Sequence, residues 1–283
     1  MTDELLAALA LTLVLNACST PAPAPLAALP TPADGSPPLL LLGEVHDNAA
    51  GQALRLQAIS RLLQDGARPA LLLEQFDREQ QAEIDRTLQT ASGMPPGEAE
   101  FNTTLDALVQ LAGPAGAGWD WALYRPVLRL ALQYRLPVVA ANVSRSDARR
   151  VMAQGLAAAG FEATVPTDIA SAQAAQIVAG HCGQIGPAQA GRMALAQVAR
   201  DQYMARQIEQ HASRGVLLLA GNGHVRRDLG VPRWLAPALQ QRARAVGYLE
   251  HDTLPPDAFD LRILSPVQPR PDPCASLRGP GPV

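Results

Sequence analysis

The sequence contains no lysine, so its 23 basic side chains are all arginine, and with 26 acidic residues they leave a net charge of -3 at pH 7. Such a weakly acidic chain has no broad positive field, which argues against nucleic acid as its main partner. Aromatic residues make up only 4% of the chain. The three cysteines include no Cys-x-x-Cys pair, which argues against a thiolate zinc site, and the Gly-x-Ser-x-Gly motif of serine hydrolases is absent. A functional site therefore has to be sought among histidines, carboxylates, arginines and the few aromatic residues.

The N-terminus has one apolar run, Leu5 to Leu15, which is too short to span a bilayer as part of the mature protein. It is typical of the central region of a secretory signal, and it ends in the sequence LNAC, which resembles a bacterial lipobox. We therefore predict a signal peptide over residues 1–18, with Cys18 lipidated to become the mature N-terminus. Two acidic residues stand where such signals normally carry basic ones, and a buried N-terminal helix is the alternative.

Proline is concentrated towards both ends of the chain. Residues 19–38 contain seven prolines in twenty positions, which predicts a semi-rigid tether rather than part of a core. Residues 266–283 are again rich in proline and glycine, and their composition predicts disorder. An oxidising compartment would permit a disulfide between Cys182 and Cys274. One globular domain, residues 39–265, is left between these ends.

Within that domain, short aliphatic runs alternate with longer segments of helical periodicity. The segment after the first run, for example, places apolar residues on one stripe from Leu54 to Leu63. Such alternation predicts a three-layer α/β/α domain with a mostly parallel sheet and additional helical insertions. The predicted strands are Leu39–Leu42, Ala70–Leu73, Pro137–Ala141, Val216–Ala220, Ala243–Leu249 and Phe259–Leu264.

Polar residues follow several of these strands at the point where the strands end. The first strand leads into the sequence GEVH, ending at His46, the fourth leads into GNGH, ending at His224, and Glu74 follows the second. The carboxyl ends of parallel strands share one edge of the sheet, where open α/β folds bind ligands. We therefore predict that these three side chains form one site, with each glycine allowing a sharp turn off its strand. Two imidazoles and a carboxylate suit a divalent metal or an iron centre.

Other residues are candidates for the same site. Glu44 could be a ligand, a partner that fixes a histidine tautomer or a general base, or it could cap the next helix. Asp201 interrupts the apolar stripe of a long predicted helix, where an unpaired carboxylate is costly, so it either pairs with an arginine or belongs to the site. In the segment GWDWALYRP, Asp120 is a candidate helix cap, Arg125 could bind a carboxylate and Tyr124 could offer a phenolate to iron.

Five segments, in order LLLLGEVHDN, LLLEQF, WDWALYRP, LPVVAANVSR and VLLLAGNGHVRRDLGVPRWL, resemble the ChaN family of haem-binding lipoproteins. That family is grouped with the Tiki and TraB proteins and the erythromycin esterases, which share two Gly-x-x-His motifs with a glutamate and an arginine. The likeness covers residues 39–265 and implies a bacterial envelope lipoprotein connected with iron uptake. The tyrosine that binds haem iron in the family is implied to be Tyr124 or Tyr203. By position, the shared polar residues fall on His46, Glu74, Arg125 and His224.

The resemblance implies that haem binds at the carboxyl edge of the sheet and that the protein serves haem and iron acquisition. Arg125 or Arg226 would then meet the haem propionates, and Met193 and Met204 would cover the porphyrin. An outer-membrane haem receptor is an expected partner, and a homodimer is a further possibility. The expected location is the cell envelope, with a lipid anchor in the outer membrane and the domain facing the periplasm or the surface.

A metal-dependent hydrolase, as in related groups, is the alternative function. His46, His224 and Glu74 would hold zinc or manganese, and Glu44 would act as the base that activates water. A third possibility is that the site has lost its chemistry and serves only as a docking surface for a partner.

Overall fold

The computed structural model describes residues 28–92, 98–113 and 118–275, and these residues contain a six-stranded sheet. Its strands are β1 (Leu39–Glu44), β2 (Ala70–Asp77), β3 (Val138–Asn142), β4 (Val216–Gly221), β5 (Arg244–Leu249) and β6 (Leu261–Leu264). They are arranged in the order β3-β2-β4-β1-β5-β6, and every neighbouring pair is parallel. The predicted α/β class and parallel sheet are confirmed.

Helices connect the strands and cover both faces of the sheet. Asp120 caps one of them as predicted, its carboxylate accepting a hydrogen bond from the backbone N–H of Ala122 (3.1 Å). Asn48 caps another by accepting from the N–H of Gly51 (2.6 Å). In the described residues the helices are α1 (Ala49–Gln64), α2 (Gln81–Ser92), α3 (Glu98–Leu111), α4 (Trp121–Gln133), α5 (Arg145–Gln154), α6 (Thr167–Gly180), α7 (Pro187–His211), α8 (Asn222–Val225) and α9 (Pro237–Arg242).

Both faces of the sheet are buried, which is why its strands read as continuous aliphatic runs rather than as alternating patterns. In β1, Leu40 and Leu42 belong to a core shared with α1, α3 and α4. Leu39 and Leu41 point to the opposite face and belong to a core shared with α7. Each fully buried leucine contributes roughly 1.5–3 kcal/mol. The domain is therefore a three-layer α/β/α structure, with α5 and α6 added as a helical insertion on the α7 side.

The order of the strands decides which strand ends become neighbours. Because β4 lies between β1 and β2, the loops after these three strands open at the same place on the carboxyl edge. Glu44 at the end of β1 is in register with Gly221 at the end of β4. Glu74 directly follows Leu73, which is in register with Leu219 of β4. A crevice at this edge consequently brings together residues that are far apart in the sequence.

The C-terminal segment stays close to the domain as far as it is described. Arg270 pairs with Asp47, which follows the first Gly-x-x-His motif (2.6 Å). Cys274 forms a disulfide with Cys182, with 5.7 Å between their Cα atoms. An ion pair and a covalent bond therefore link this stretch to the domain.

The predicted signal peptide and the first part of the tether, up to residue 27, lie outside the described residues. The rest of the tether, residues 28–38, lies against the domain. Leu29 is buried in the core beneath α1, and the carbonyl of Pro38 accepts a hydrogen bond from the N–H of Val216 (2.7 Å). Across the part of the chain that the structure describes, no helix combines the length and apolar character needed to cross a membrane.

Candidate functional site

The two Gly-x-x-His motifs interlock at the ends of β1 and β4. A Cβ atom on Gly43 would lie 2.2 Å from Oδ1 of Asn222 in the second motif. A Cβ atom on Gly221 would lie 3.1 Å from Cε1 and Nε2 of His46 in the first motif. Neither glycine has a positive φ, so the prediction that they serve to turn the chain is wrong. Each glycine instead leaves room for a residue of the other motif to approach the backbone.

Glu44, the last residue of β1, is the centre of a buried hydrogen-bond network. Its Oε1 accepts from the phenol of Tyr124 (2.6 Å) and from Nδ1 of His46 (2.7 Å). Its Oε2 accepts from Nε2 of Gln52 (3.0 Å) and pairs with the guanidinium of Arg55. The side chains of Glu44 and Arg55 are each 2% exposed, so water does not screen their ion pair. Of the roles predicted for Glu44, this geometry fits the partner that fixes a histidine tautomer.

The groups around Glu44 keep it ionised and keep Tyr124 neutral. Burial raises the pKa of the Glu44 carboxyl, but the charge of Arg55 and the hydrogen bond from His46 outweigh burial and lower the pKa to about 2. Burial and the charge of Glu44 both raise the pKa of Tyr124 above its usual range. A buried phenol that donates to a carboxylate cannot easily become a phenolate, which argues against Tyr124 as an iron ligand. Burial also raises the pKa of Tyr203, the other candidate, on α7.

A second carboxylate–imidazole pair lies at the end of β4. Nδ1 of His224 donates to Oδ1 of Asp201 on α7 (2.6 Å), and Oδ2 of Asp201 accepts from Gln173 on α6 (3.3 Å). Asp201 is fully buried, and the side chain of His224 is 13% exposed. Nε2 of His224 lies 3.5 Å from Oε1 of Glu74, whose Oε2 accepts from the N–H of Gly221 (2.7 Å). Asp201 thus belongs to the crevice and does not form a structural pair with an arginine.

Burial and charge shift the pKa values of this second pair in opposite directions. Burial raises the pKa of Asp201 to about 6, and the neighbouring His224 lowers it only in part. Burial by itself would lower the pKa of His224, but the carboxylates of Asp201 and Glu74 raise it. The pair can therefore hold a proton on the imidazole and exchange it with a group in the crevice.

His46 is the most accessible of these side chains, with 47% of its surface exposed. Its ring packs edge-on against the indole of Trp119, with ring centroids 4.7 Å apart. Partial burial lowers the pKa of His46, but the hydrogen bond with Glu44 and the charge of Glu74 raise it overall. Since Glu44 holds Nδ1, Nε2 is the ring nitrogen that is left for a ligand.

Three residues predicted to support a ligand lie elsewhere. Arg125 is on the side of α4 that faces α3, where it pairs with Asp106 (2.7 Å). Arg226 binds the carboxylate of Asp228 through Nε (2.9 Å) and through a second nitrogen. Met204 is fully buried in the core between α7 and the sheet. Neither arginine is free to meet a propionate, and this methionine cannot cover a porphyrin.

The divalent-metal alternative is not supported. Among the residues that the structure describes, no three His, Cys, Asp or Glu side chains form a group that could hold a metal ion. The proposed role of Glu44 as the base for a water on zinc or manganese loses its basis as well.

Sequence reasoning missed Arg55 and Gln52, which contact Glu44 from α1. Arg55 lies on the buried stripe of α1 that continues through Ala58. A charged residue on a buried stripe is the signal that singled out Asp201, and the same test applied to α1 would have found Arg55. In this structure the arginine of the crevice is Arg55, whereas the resemblance had placed it at Arg125.

Comparison with one known structure supports the fold, and two others align more weakly. ChaN of Campylobacter jejuni, described with cofacial haem binding, aligns with a TM-score of 0.62 at 17% identity over 79% of this chain and 86% of that chain. The type III effector HopBA1 aligns with a TM-score of 0.43 at 11% identity over 80% of this chain and 88% of that chain. An erythromycin esterase mutant, EreC in its open conformation, aligns with a TM-score of 0.40 at 14% identity over 74% of this chain and 69% of that chain.

Sequence comparison identifies the family. No curated protein sequence matches the chain significantly. The profile of the family described as "Haem-binding uptake, Tiki superfamily, ChaN" matches residues 37–235, which include both Gly-x-x-His motifs. The chain therefore belongs to the ChaN family of haem-binding uptake proteins, in the Tiki superfamily.

Proposed function

We propose that this protein binds haem at the carboxyl edge of its sheet and serves haem and iron acquisition as an exported lipoprotein. The observation that carries the proposal is the state of His46, which is half exposed and has Nδ1 fixed by an ionised Glu44. Fixing one ring nitrogen orients the other and makes it a better ligand. Membership of a haem-binding family supports haem as the molecule that this nitrogen meets.

The residues around His46 fit a haem. Nε2 of His46 would bind the iron, and the half-buried indole of Trp119 beside it would offer apolar surface to the porphyrin. Propionates need a cation that is not already paired. Arg200, next to Asp201 on α7, is the candidate because no carboxylate pairs with it among the described residues; its Nη1 donates to Oε1 of Gln197 (3.1 Å). Haem bound in this way is cargo, and the protein holds and orients it.

Titration of the purified protein with haemin should give a saturable change in the Soret band. Replacing Glu44 with glutamine should weaken haemin binding by roughly 10–100-fold, because His46 loses the carboxylate that orients it. His46→Ala should weaken binding at least as much. His211→Ala removes a histidine at the C-terminal end of α7, at the opposite edge of the sheet, and should leave the titration unchanged. A titration without saturation, or an unchanged affinity in His46→Ala, would refute the proposed site.

Export and lipidation extend the same proposal to the N-terminus. The disulfide between Cys182 and Cys274 supports an oxidising compartment, because such bonds rarely persist in the cytosol. Cys18 would carry the lipid and attach the protein to the outer membrane, where a haem receptor is the proposed partner. A bacterium expressing the full chain should incorporate labelled palmitate into this protein, and Cys18→Ser should abolish the label. Incorporation that persists in the variant would exclude Cys18 as the attachment point.

A further inference from the structure

The helices α6 and α7 form a hairpin whose tip extends beyond the carboxyl edge of the sheet. Met204 and Ile208 of α7 pack against the sheet, and Asp201 reaches His224 at the edge. The part of α7 that precedes Asp201 begins at Pro187. At 1.5 Å per residue this part extends for about 20 Å past the edge. Together with α6, this part of α7 lies beside the crevice.

The outer half of this hairpin, residues 177–194, has little core of its own. Its buried residues are Ile177, Ala190 and Ala194, and the cluster they form draws only on α6, α7 and the loop between them. Alanine side chains bury little apolar area, and the stabilisation scales with that area. A region with so few buried contacts opens locally at low cost unless something else holds it.

The C-terminal segment, residues 266–275, is fixed at one end to the rim of the crevice. Its Arg270 binds Asp47, the residue after His46 (2.6 Å), and Glu250, which follows β5 (2.7 Å). The carbonyl of Pro266 accepts a hydrogen bond from the side chain of Asn48 (2.8 Å). The segment thus starts beside the accessible histidine.

Its other end is fixed to the tip of the hairpin. Cys274 is bonded to Cys182, which lies two residues after the end of α6. The backbone of Cys182 is left-handed (φ 56°), a conformation that usually favours glycine or asparagine after a helix. A cysteine in this position indicates that its thiol is needed there. The four residues from Arg270 to Cys274 span at most about 14 Å, so the bond keeps the tip close to the rim.

We propose that residues 266–275 are a redox-released strap, which holds the outer half of the α6–α7 hairpin close to the rim of the crevice while its disulfide is intact. A dithiol reductant breaks the sulfur–sulfur bond, supplies two electrons and two protons to the cysteines and is itself oxidised to a disulfide. The outer half of the hairpin then moves away from the rim, and access to His46 and His224 increases. Faster entry and exit of haem would follow, a consequence that rests on the proposed function.

Hydrogen exchange on the full chain tests the strap without any ligand. Amides of residues 177–194 should exchange at least about tenfold faster after reduction with dithiothreitol. Amides of α7 from Met204 onward pack against the sheet and should be unchanged. The double variant Cys182→Ser, Cys274→Ser should match the reduced protein and show no response to dithiothreitol.

A further variant separates the strap from a merely structural disulfide. Arg270→Gln keeps the disulfide and removes the anchor at the rim, so it should also speed exchange in the same amides. Equal exchange in the oxidised and reduced proteins, or no change in Arg270→Gln, would overturn the proposal. An equal acceleration of the amides of β1 and β4 would do the same, because it would indicate global destabilisation. Haemin association and dissociation, measured on the same samples, should both be several-fold faster after reduction. If hydrogen exchange responds as expected but the haemin rates do not change, the result counts against haem as the ligand and not against the strap.

Discussion

Replacing Arg55 with leucine is expected to lower the free energy of unfolding by about 3–5 kcal/mol, because it leaves the carboxylate of Glu44 buried without its counter-charge. Both side chains of this pair are 2% exposed, so water cannot replace the lost partner. Urea denaturation at neutral pH measures the change as a shift of the midpoint at constant slope. The same variant should raise the pKa of Glu44, since the charge that outweighs burial is gone.

Arg125→Leu is the matched control. Arg125 also pairs with a carboxylate, but it is 34% exposed and Asp106 is 57% exposed. Exposed pairs contribute about 0–1 kcal/mol, so this variant should change stability little. A loss below about 1 kcal/mol in Arg55→Leu, or equal losses in the two variants, would show that the buried network does not depend on Arg55.

The second large effect is the loss of stability that we expect at acid pH. Glu44 has a pKa of about 2 in the folded protein against an ordinary value of 4.5. A depressed pKa contributes stability that is fully present above about pH 4.5 and is lost as the pH falls towards 2. At 1.36 kcal/mol per pKa unit, the contribution of Glu44 at neutral pH is about 3 kcal/mol.

Glu44→Gln isolates this contribution. The variant should be less stable than the wild type at pH 7, and the difference should shrink by about 2 kcal/mol between pH 5 and pH 2.5. Asp201→Asn should show the opposite trend, because burial raises the pKa of Asp201 from 3.8 to about 6 and its ionisation costs stability as the pH rises through that window. Denaturation series at several pH values measure both trends. A difference between Glu44→Gln and the wild type that stays constant with pH would contradict a depressed pKa at this carboxyl.

The strands were the most predictable part of the fold. Leu39–Leu42 and Val216–Ala220 were predicted, and the strands observed are Leu39–Glu44 and Val216–Gly221. A parallel strand buried on both faces has to be apolar at every position, and this constraint is local and visible. The position of β4 between β1 and β2 was not predictable, since any parallel order satisfies the same pattern.

In the candidate site, too, some residues are predictable from the sequence and others are not. His46, Glu74 and His224 were found because each follows an aliphatic run, and all parallel strands end at one edge. Asp201 was visible as a carboxylate on an apolar stripe. Arg55 carries the same signal. Tyr124 is a candidate iron ligand by sequence because the sequence does not show that its phenol reaches Glu44.

The sequence alone determined that acids and imidazoles gather at the carboxyl ends of buried strands, because chain alternation and strand polarity suffice for that. Tertiary structure alone decided which acid binds which imidazole, that Gly43 and Gly221 leave room for the facing motif, and that Cys274 reaches Cys182. Hydrogen bonds and close packing act over about 3 Å, whereas a sequence pattern fixes only the element and the face on which a residue lies.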